Sequence, residues 1–208
     1  MTTHRENRMR QHRSSFLAAG FLLLAALALA AAPAARAADA PLSWDFAKDA
    51  GKGWSTGATL PVGAATVLGP FNKRSDKAPD GATLRLTGLA PAPRLLSFDL
   101  YLIGSWDSAG SDKADTFEVS DGTGKVLLRM TEFPCRIEGT DEGKPIGHAG
   151  LVKTPLSERE LGYWVVPTRI ELGPDSVQGG ALTLNFKGAP SARRVESWGL
   201  ANVRIDPR

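Results

Sequence analysis

Apolar and polar residues alternate along several short segments of the chain. Every second residue from Leu96 to Leu102 is large and apolar, and the same alternation returns from Leu182 to Phe186. A period of two residues is typical of a β-strand with one side in a core. The pattern predicts strands over residues 42–46, 83–89, 96–103, 116–120, 126–133, 164–172, 181–186 and 198–205.

Turn-forming residues separate these segments, as in Ser120-Asp121-Gly122 and Gly179-Gly180. Only the segment 155–161 has a helix-like pattern, with Ser157 in position for an N-cap. The segment 134–155 is irregular and rich in glycine and charge, which predicts a long loop. Many short strands in a chain with 22 Gly and 14 Pro predict an all-β fold. We expect two antiparallel sheets packed as a β-sandwich of jelly-roll type, with little helix.

The N-terminal segment has a different composition. Four arginines, the last of them Arg13, precede an apolar run over residues 16–32, and small residues then lead to Ala37. This order predicts a signal peptide over residues 1–37 and one β-sandwich domain over 38–208. The alternative is a membrane anchor, but a run of about 17 residues is short for a bilayer. We therefore expect an exported protein, periplasmic or extracellular, with no stable membrane insertion after cleavage.

Removal of residues 1–37 changes the charge of the protein. The whole chain has 25 basic and 22 acidic residues, and loss of five Arg and one Glu leaves 20 and 21. Nucleic acid and anionic membranes require clustered positive charge, so the balance argues against both partners. Cys135 is the only cysteine, which excludes an intramolecular disulfide, and we expect a buried, unreactive thiol rather than an exposed one.

Three stretches of the chain carry a shared pattern. They are WDF at 44–46 with Trp54, LSFDLYLIGSWD at 96–107 followed by DTFEV at 115–119, and ESWGLANVRI at 196–205. These stretches resemble secreted bacterial jelly-roll modules of the concanavalin-like and galactose-binding-like group, over residues 42–205. The resemblance implies a binding or adhesion role, with a glycan or a cell-envelope polymer as partner.

The same resemblance implies structural calcium, with Asp99, Asp107 and Asp115 as the metal residues that carry over. Calcium takes roughly six to eight oxygen ligands, which a loop of Asp and Ser side chains can supply. The alternative is a solvated turn, because Lys113 lies among the carboxylates and the spacing differs from a calcium-binding loop. The chain also has Ala201 where the closing strand of the group often carries Asp, which weakens the case for calcium.

Aromatic side chains are the second set of candidates. The flat indole of tryptophan can stack on the apolar C–H face of a sugar ring, whereas most tryptophans pack in a core. Trp106 follows a strand end and is the tryptophan we expect to be exposed. Tyr101 and Trp164 complete the predicted ligand-binding set, while Trp44 and Trp198 are expected in the core.

Catalytic groups are few. Glu158 and Glu160, with Asp141 and Glu142, could form a glycosidase pair, but their spacing favours solvated surface charge. His148 is the only histidine beyond residue 37, so neither a histidine metal cluster nor a serine-hydrolase motif is recognisable. The sequence thus predicts a non-catalytic binding or adhesion module, and the resemblance implies carbohydrate as the leading ligand class. The alternatives are a polysaccharide lyase or glycoside hydrolase on the same fold, and a structural envelope protein without a small ligand.

Overall fold

A computed structural model describes residues 40–73, 75, 78–110, 114–138, 144–192 and 195–208. The predicted signal peptide lies outside the described residues, as do Asp141 and Glu142. In the described part of the chain, no helix is long and apolar enough to cross a membrane.

Fourteen strands and one short 3-10 turn make up the regular structure of the described residues. The strands are β1 (Leu42–Trp44), β2 (Thr59–Val62), β3 (Ala65–Phe71), β4 (Gly81–Thr87), β5 (Arg94–Gly104), β6 (Thr116–Asp121), β7 (Val126–Met130), β8 (Arg136–Glu138), β9 (Lys144–Ile146), β10 (Gly150–Lys153), β11 (Glu160–Leu172), β12 (Val177–Gln178), β13 (Ala181–Ala189) and β14 (Glu196–Pro207). The 3-10 turn, Pro174–Ser176, lies between β11 and β12.

The strands form two antiparallel sheets. The larger sheet has the order β10-β11-β5-β14-β3-β2, with β1 paired to β14. The smaller sheet has the order β12-β13-β6-β7, with β4 paired to β13, and β8 and β9 form a separate hairpin. The predicted fold class, an all-β two-sheet sandwich of jelly-roll type, is confirmed.

The main core lies between the two sheets, where the alternating apolar residues meet. Leu96, Phe98, Leu100 and Leu102 of β5 are buried in the same cluster as the apolar residues of β13. The ring of Phe98 stands at 88° to that of Phe186, with centroids 5.6 Å apart. Alternation in the sequence therefore marks the inner face of both central strands.

The other face of the larger sheet is also partly covered. Tyr101 and Ile103 belong to a second buried cluster with Tyr163 of β11, and the two tyrosine rings stack 5.7 Å apart. A Cβ at Gly63, in the turn between β2 and β3, would lie 2.5 Å from the hydroxyl of Tyr163. That turn therefore lies against the Tyr163 side chain of β11, and the cluster removes Tyr101 and Ile103 from solvent.

Three segments differ from expectation. The helix-like segment 155–161 forms turns and then enters β11. Thr154 holds the turn, because its hydroxyl accepts the Leu156 N–H at 3.2 Å and its backbone carbonyl accepts the Ser157 N–H at 3.3 Å. The predicted loop 134–155 contains the three short strands β8, β9 and β10. Strands β2 and β3 were not predicted, since prolines and glycines interrupt their alternation.

Candidate functional site

Three carboxylates converge at one end of the sandwich. Asp107 follows β5, Asp115 precedes β6, and Glu196 is the first residue of β14. One oxygen of each lies within 4.8 Å of the others, and we call these three residues the carboxylate cluster. Asp115 is 0% and Glu196 2% exposed, so two of the three acids are shielded from solvent.

Asp115 joins two loops through its two oxygens. One oxygen accepts the N–H of Asp107 at 2.6 Å, and the other accepts the N–H of Ser191 at 2.5 Å. The Asp107 carbonyl in turn accepts the Asp115 N–H at 2.9 Å. The carboxylate thereby ties the β5–β6 connection to the segment between β13 and β14.

Glu196 makes a comparable set of contacts. Its Oε2 accepts the Ala192 N–H at 2.6 Å and the Ser191 hydroxyl at 3.3 Å. Its Oε1 accepts the hydroxyl of Ser105, the first residue after β5, at 3.1 Å. Hydrogen bonds to N–H and O–H donors offset part of the free-energy cost of burying the carboxylate.

Burial shifts the proton affinity of these groups. Desolvation raises the pKa of Asp115 to about 6 and that of Glu196 to about 7, and the neighbouring carboxylates add to both shifts. The N–H donors act in the opposite direction and lower the pKa. Desolvation likewise raises the pKa of the half-buried Cys135 thiol to about 12, with Asp115 and Glu196 contributing, so the thiol stays protonated.

The donor set of the carboxylate cluster fits a hard cation. Calcium binds oxygen at about 2.3–2.6 Å, so two ligand atoms on one ion lie at most about 5 Å apart. A spread of 4.8 Å satisfies this limit. A proton shared among the acids would also relieve their repulsion, as the raised pKa values indicate.

Two of the three predicted metal residues, Asp107 and Asp115, come together, whereas Asp99 does not join them. Asp99 lies opposite Ala201 in the sheet, and its Oδ2 accepts the side-chain N–H of Asn202 at 2.7 Å. Glu196 was missed by the sequence reasoning. The signal that could have identified it is an acid two residues before the buried Trp198 in the closing motif.

The predicted sugar-stacking residues are buried. Trp106 is 1%, Trp164 4% and Tyr101 7% exposed. The Trp106 indole N–H donates to the Ser197 carbonyl at 3.0 Å, and its ring meets that of Phe133 at 5.0 Å. The expectation that Trp106 is exposed is therefore wrong, because these contacts hold its ring inside the protein, away from any ligand. Tyr101 and Trp164 likewise offer no open ring face.

The half-buried tryptophans lie elsewhere, at two neighbouring hollows. The first, which we call the Trp44 pocket, has a volume of about 580 Å³. Its lining includes Trp44, Asp45, Lys48, Asp49, Asn202 and Arg204. The second has a volume of about 470 Å³, is lined by Trp54, and shares Asp49 and Gly51 with the first. Trp44 was expected in the core, and it is instead only partly covered.

The remaining catalytic candidates do not converge. Glu158 and Glu160 are exposed, and His148 holds its Nδ1 at 2.9 Å from the Gly150 carbonyl. In the part of the chain that the structure describes, none of them belongs to a group of acids or histidines able to share an ion. The enzymatic alternative gains no support from these residues.

Comparisons with known proteins give structural likeness only. No protein-family model matches the chain. Curated protein sequences give no match either. The chain is similar to the CBM22-1 xylan-binding domain of Xyn10C from Paenibacillus barcinonensis, with 17% identity and a TM-score of 0.38, over 82% of this chain and 96% of that one.

Two further solved structures are similar to this chain at comparable identity. One is the K3 adhesin domain of Lys-gingipain from Porphyromonas gingivalis, with 14% identity and a TM-score of 0.42, over 81% of this chain and 98% of that one. The other is CBM27-1 from Caldicellulosiruptor saccharolyticus, solved with mannohexaose, with 17% identity and a TM-score of 0.39, again over 81% and 98%. The similar solved structures thus include carbohydrate-binding modules and an adhesin domain.

Proposed function

We propose that this chain is an exported, non-catalytic module that binds carbohydrate. The observation that carries the proposal is the position of the two half-buried tryptophans, Trp44 and Trp54. Each lines an open hollow, and the two hollows are joined by Asp49 and Gly51. An aromatic surface beside a few polar groups is the usual make-up of a small-molecule site.

The burial of the acids supports binding rather than catalysis. Glycoside hydrolysis generally needs two carboxyl groups, on either side of the scissile bond and about 5–10 Å apart. Asp115 and Glu196 converge, but neither is accessible to a polymer. Their hydrogen bonds to Asp107, Ser105 and Ser191 instead connect loops and strand ends.

Calcium is the cation that we propose for the carboxylate cluster at neutral pH. Asp107, Asp115 and Glu196 would supply its protein ligands, and the ion would neutralise the repulsion between buried charges. In this proposal the metal has a structural role, since it would brace the loops at one end of the sandwich. Export is supported by the predicted signal peptide.

A glycan array tests this function directly. The secreted protein, lacking residues 1–37, is applied with calcium and, in parallel, with EDTA, while its thermal unfolding is followed in both buffers. We expect neutral polysaccharides to be bound, and EDTA to lower the unfolding temperature at pH 7.5. A protein that stays folded and binds no glycan in either buffer would contradict carbohydrate binding and favour a structural envelope protein.

A further inference from the structure

We infer that the Trp44 pocket is a recognition site for an uncharged pyranose unit of a polysaccharide. This inference rests on the proposed carbohydrate-binding function and assigns its site and ligand class. The pocket lies where β1 and the turn that follows it meet the second half of β14. None of its lining residues belongs to the carboxylate cluster.

The pocket originates in a change of partner along β14. The first half of that strand pairs with β3 through Trp198 and Leu200, and the second half pairs with β1 from Val203 onward. On its other edge, the register with β5 shifts between Ala201 and Arg204. Such a bulge redirects a side chain and commonly lies near functional sites. Asn202 lies within this shift and is one of the residues that line the pocket.

Backbone strain is concentrated at this pocket. Phe46 (φ 59°) and Asn202 (φ 51°) are the non-glycine residues with positive φ in the described part of the chain, and both line it. Asparagine tolerates this conformation, but a bulky residue such as Phe46 rarely adopts it. Conformations of this kind persist where the surrounding structure imposes them, and they cluster at ligand sites.

The aromatic part of the pocket is built to stay open. Trp44 stands nearly perpendicular to Trp54, at 86° and 6.0 Å between centroids, which fixes its orientation. Gly51 has φ 73°, and a Cβ there would lie 3.0 Å from Trp44 Cδ1. A larger residue would therefore press on the indole, so glycine leaves room for a sugar C–H face beside it.

The polar rim offers oriented hydrogen-bonding groups. Asp45 Oδ1 accepts the Ala47 N–H at 3.0 Å and Asp49 Oδ1 accepts the Gly51 N–H at 2.7 Å, which leaves the Oδ2 of each exposed carboxylate for other donors. Asn202 is held by its bond to Asp99 at 2.7 Å and keeps its carbonyl oxygen as an acceptor. Prealigned acceptors suit the adjacent hydroxyls of a sugar ring, because less ordering is needed on binding.

The rim carries no excess of positive charge. Its lining includes the acids Asp45 and Asp49 and the bases Lys48 and Arg204, and the Arg204 Nε donates to both oxygens of Asp206 at 2.7 Å. A uronic acid or a sulfated sugar would need an excess of positive charge. This rim therefore favours an uncharged sugar, and the adjoining Trp54 hollow provides room for the next ring of the same chain.

Isothermal titration with defined oligosaccharides tests the inference. The probes are mannohexaose, xylohexaose, cellohexaose and laminarihexaose, with an oligogalacturonate as the charged comparison. We expect at least one neutral probe to bind, and Asn202→Gly to weaken it about three- to tenfold, as for the loss of one hydrogen bond. Glycine keeps the positive φ of this position, so the variant removes the amide without backbone strain. Trp44→Ala should weaken binding about tenfold or more.

Arg129→Ala is the matched control for Arg204→Ala, because both arginines are exposed and paired with an acid, but Arg129 lies on the other sheet. Arg204→Ala should weaken binding and the control should not. Binding that is unchanged in Asn202→Gly and Trp44→Ala overturns the site but leaves the carbohydrate-binding function standing. Preference for the oligogalacturonate overturns the ligand class. A wild-type protein that binds no probe overturns the proposed function, and the site with it.

Discussion

The two ends of β14 use polar residues in opposite ways. At the start of the strand Glu196 lies in the carboxylate cluster, where the acids are covered and bonded to the protein's own N–H and O–H groups. About 23 Å further along, the Asn202–Arg204 segment borders an open pocket beside Trp44. Changes at the buried end should therefore act on folding, and changes at the open end on binding.

The largest difference is expected from removal of a buried acid. Asp115→Ala would leave the Asp107 and Ser191 N–H groups without their acceptor, and should lower the free energy of unfolding by about 3–5 kcal/mol. Asp45→Ala, at the rim of the Trp44 pocket, removes one exposed acceptor and should cost about 1 kcal/mol or less. Urea unfolding measures both, and equal losses would mean that the two ends do not differ.

The pH dependence of stability should come from the buried end. In EDTA, the folded protein holds protons on Asp115 and Glu196 up to pKa values of about 6 and 7, whereas the unfolded chain releases them near pH 4. The native state therefore binds more protons in this window, and the free energy of unfolding should fall by about 3 kcal/mol for each group, on the order of 6 kcal/mol together, as pH rises from 4 to 8.

If the carboxylate cluster binds calcium, the ion should offset this loss of stability at high pH. Added calcium should raise the unfolding temperature at pH 8 and have little effect at pH 5, where protons compete for the same oxygens. Asp115→Asn provides the control, since it should flatten the pH dependence and reduce the calcium response. A calcium response of equal size at both pH values, or in the variant, would place the ion elsewhere.

A smaller difference in stability is expected between substitutions at two tryptophans. Trp106→Phe deletes the hydrogen bond to the Ser197 carbonyl and leaves a cavity, so it should cost about 2–3 kcal/mol of stability. Trp44→Phe removes part of a half-buried ring and should cost about 1 kcal/mol or less, with its effect on glycan affinity instead. Thermal unfolding and glycan titration of both variants measure these effects. If Trp106 were the recognition residue, Trp106→Phe would instead lower glycan affinity and Trp44→Phe would not.

The smallest effect on stability is expected at the exposed rim. Arg204 and Asp206 form a solvent-exposed pair, so Arg204→Ala should leave the midpoint of urea unfolding almost unchanged. The same variant should still weaken glycan binding. A large loss of stability would show that the rim is structural, as the carboxylate cluster is.

The sequence predicted the fold better than the site. Alternation identified β5 and β13 because each has one face in the core. Strands β2 and β3 were not predicted, because Pro61 and Gly69-Pro70 interrupt their alternation. Asp107 and Asp115 came into consideration through the resemblance, and they flank one polar loop. Glu196 is remote from both in sequence, and only the pairing of β14 with β5 brings it close.

The exposure of the tryptophans could not be predicted from neighbouring residues either, because distant segments determine it. Trp106 follows a strand end, a position that suggests solvent, but Phe133 and the Ser197 carbonyl come from distant segments to cover it. Trp44 ends β1, the first strand of the described residues, and its alternating segment predicted a core position, yet the change of partner along β14 leaves it at a pocket. In both cases the pairing of distant strands decides burial.

The most direct test of the account follows the five tryptophan indole N–H signals by NMR during titration with the neutral hexasaccharides. If recognition occurs at the Trp44 pocket, the Trp44 signal should shift with ligand concentration and Trp54 should shift less. The signals of Trp106, Trp164 and Trp198 should stay in place, because those rings lie inside the protein. A saturable shift of Trp106 or Trp164 with Trp44 unmoved would contradict the account.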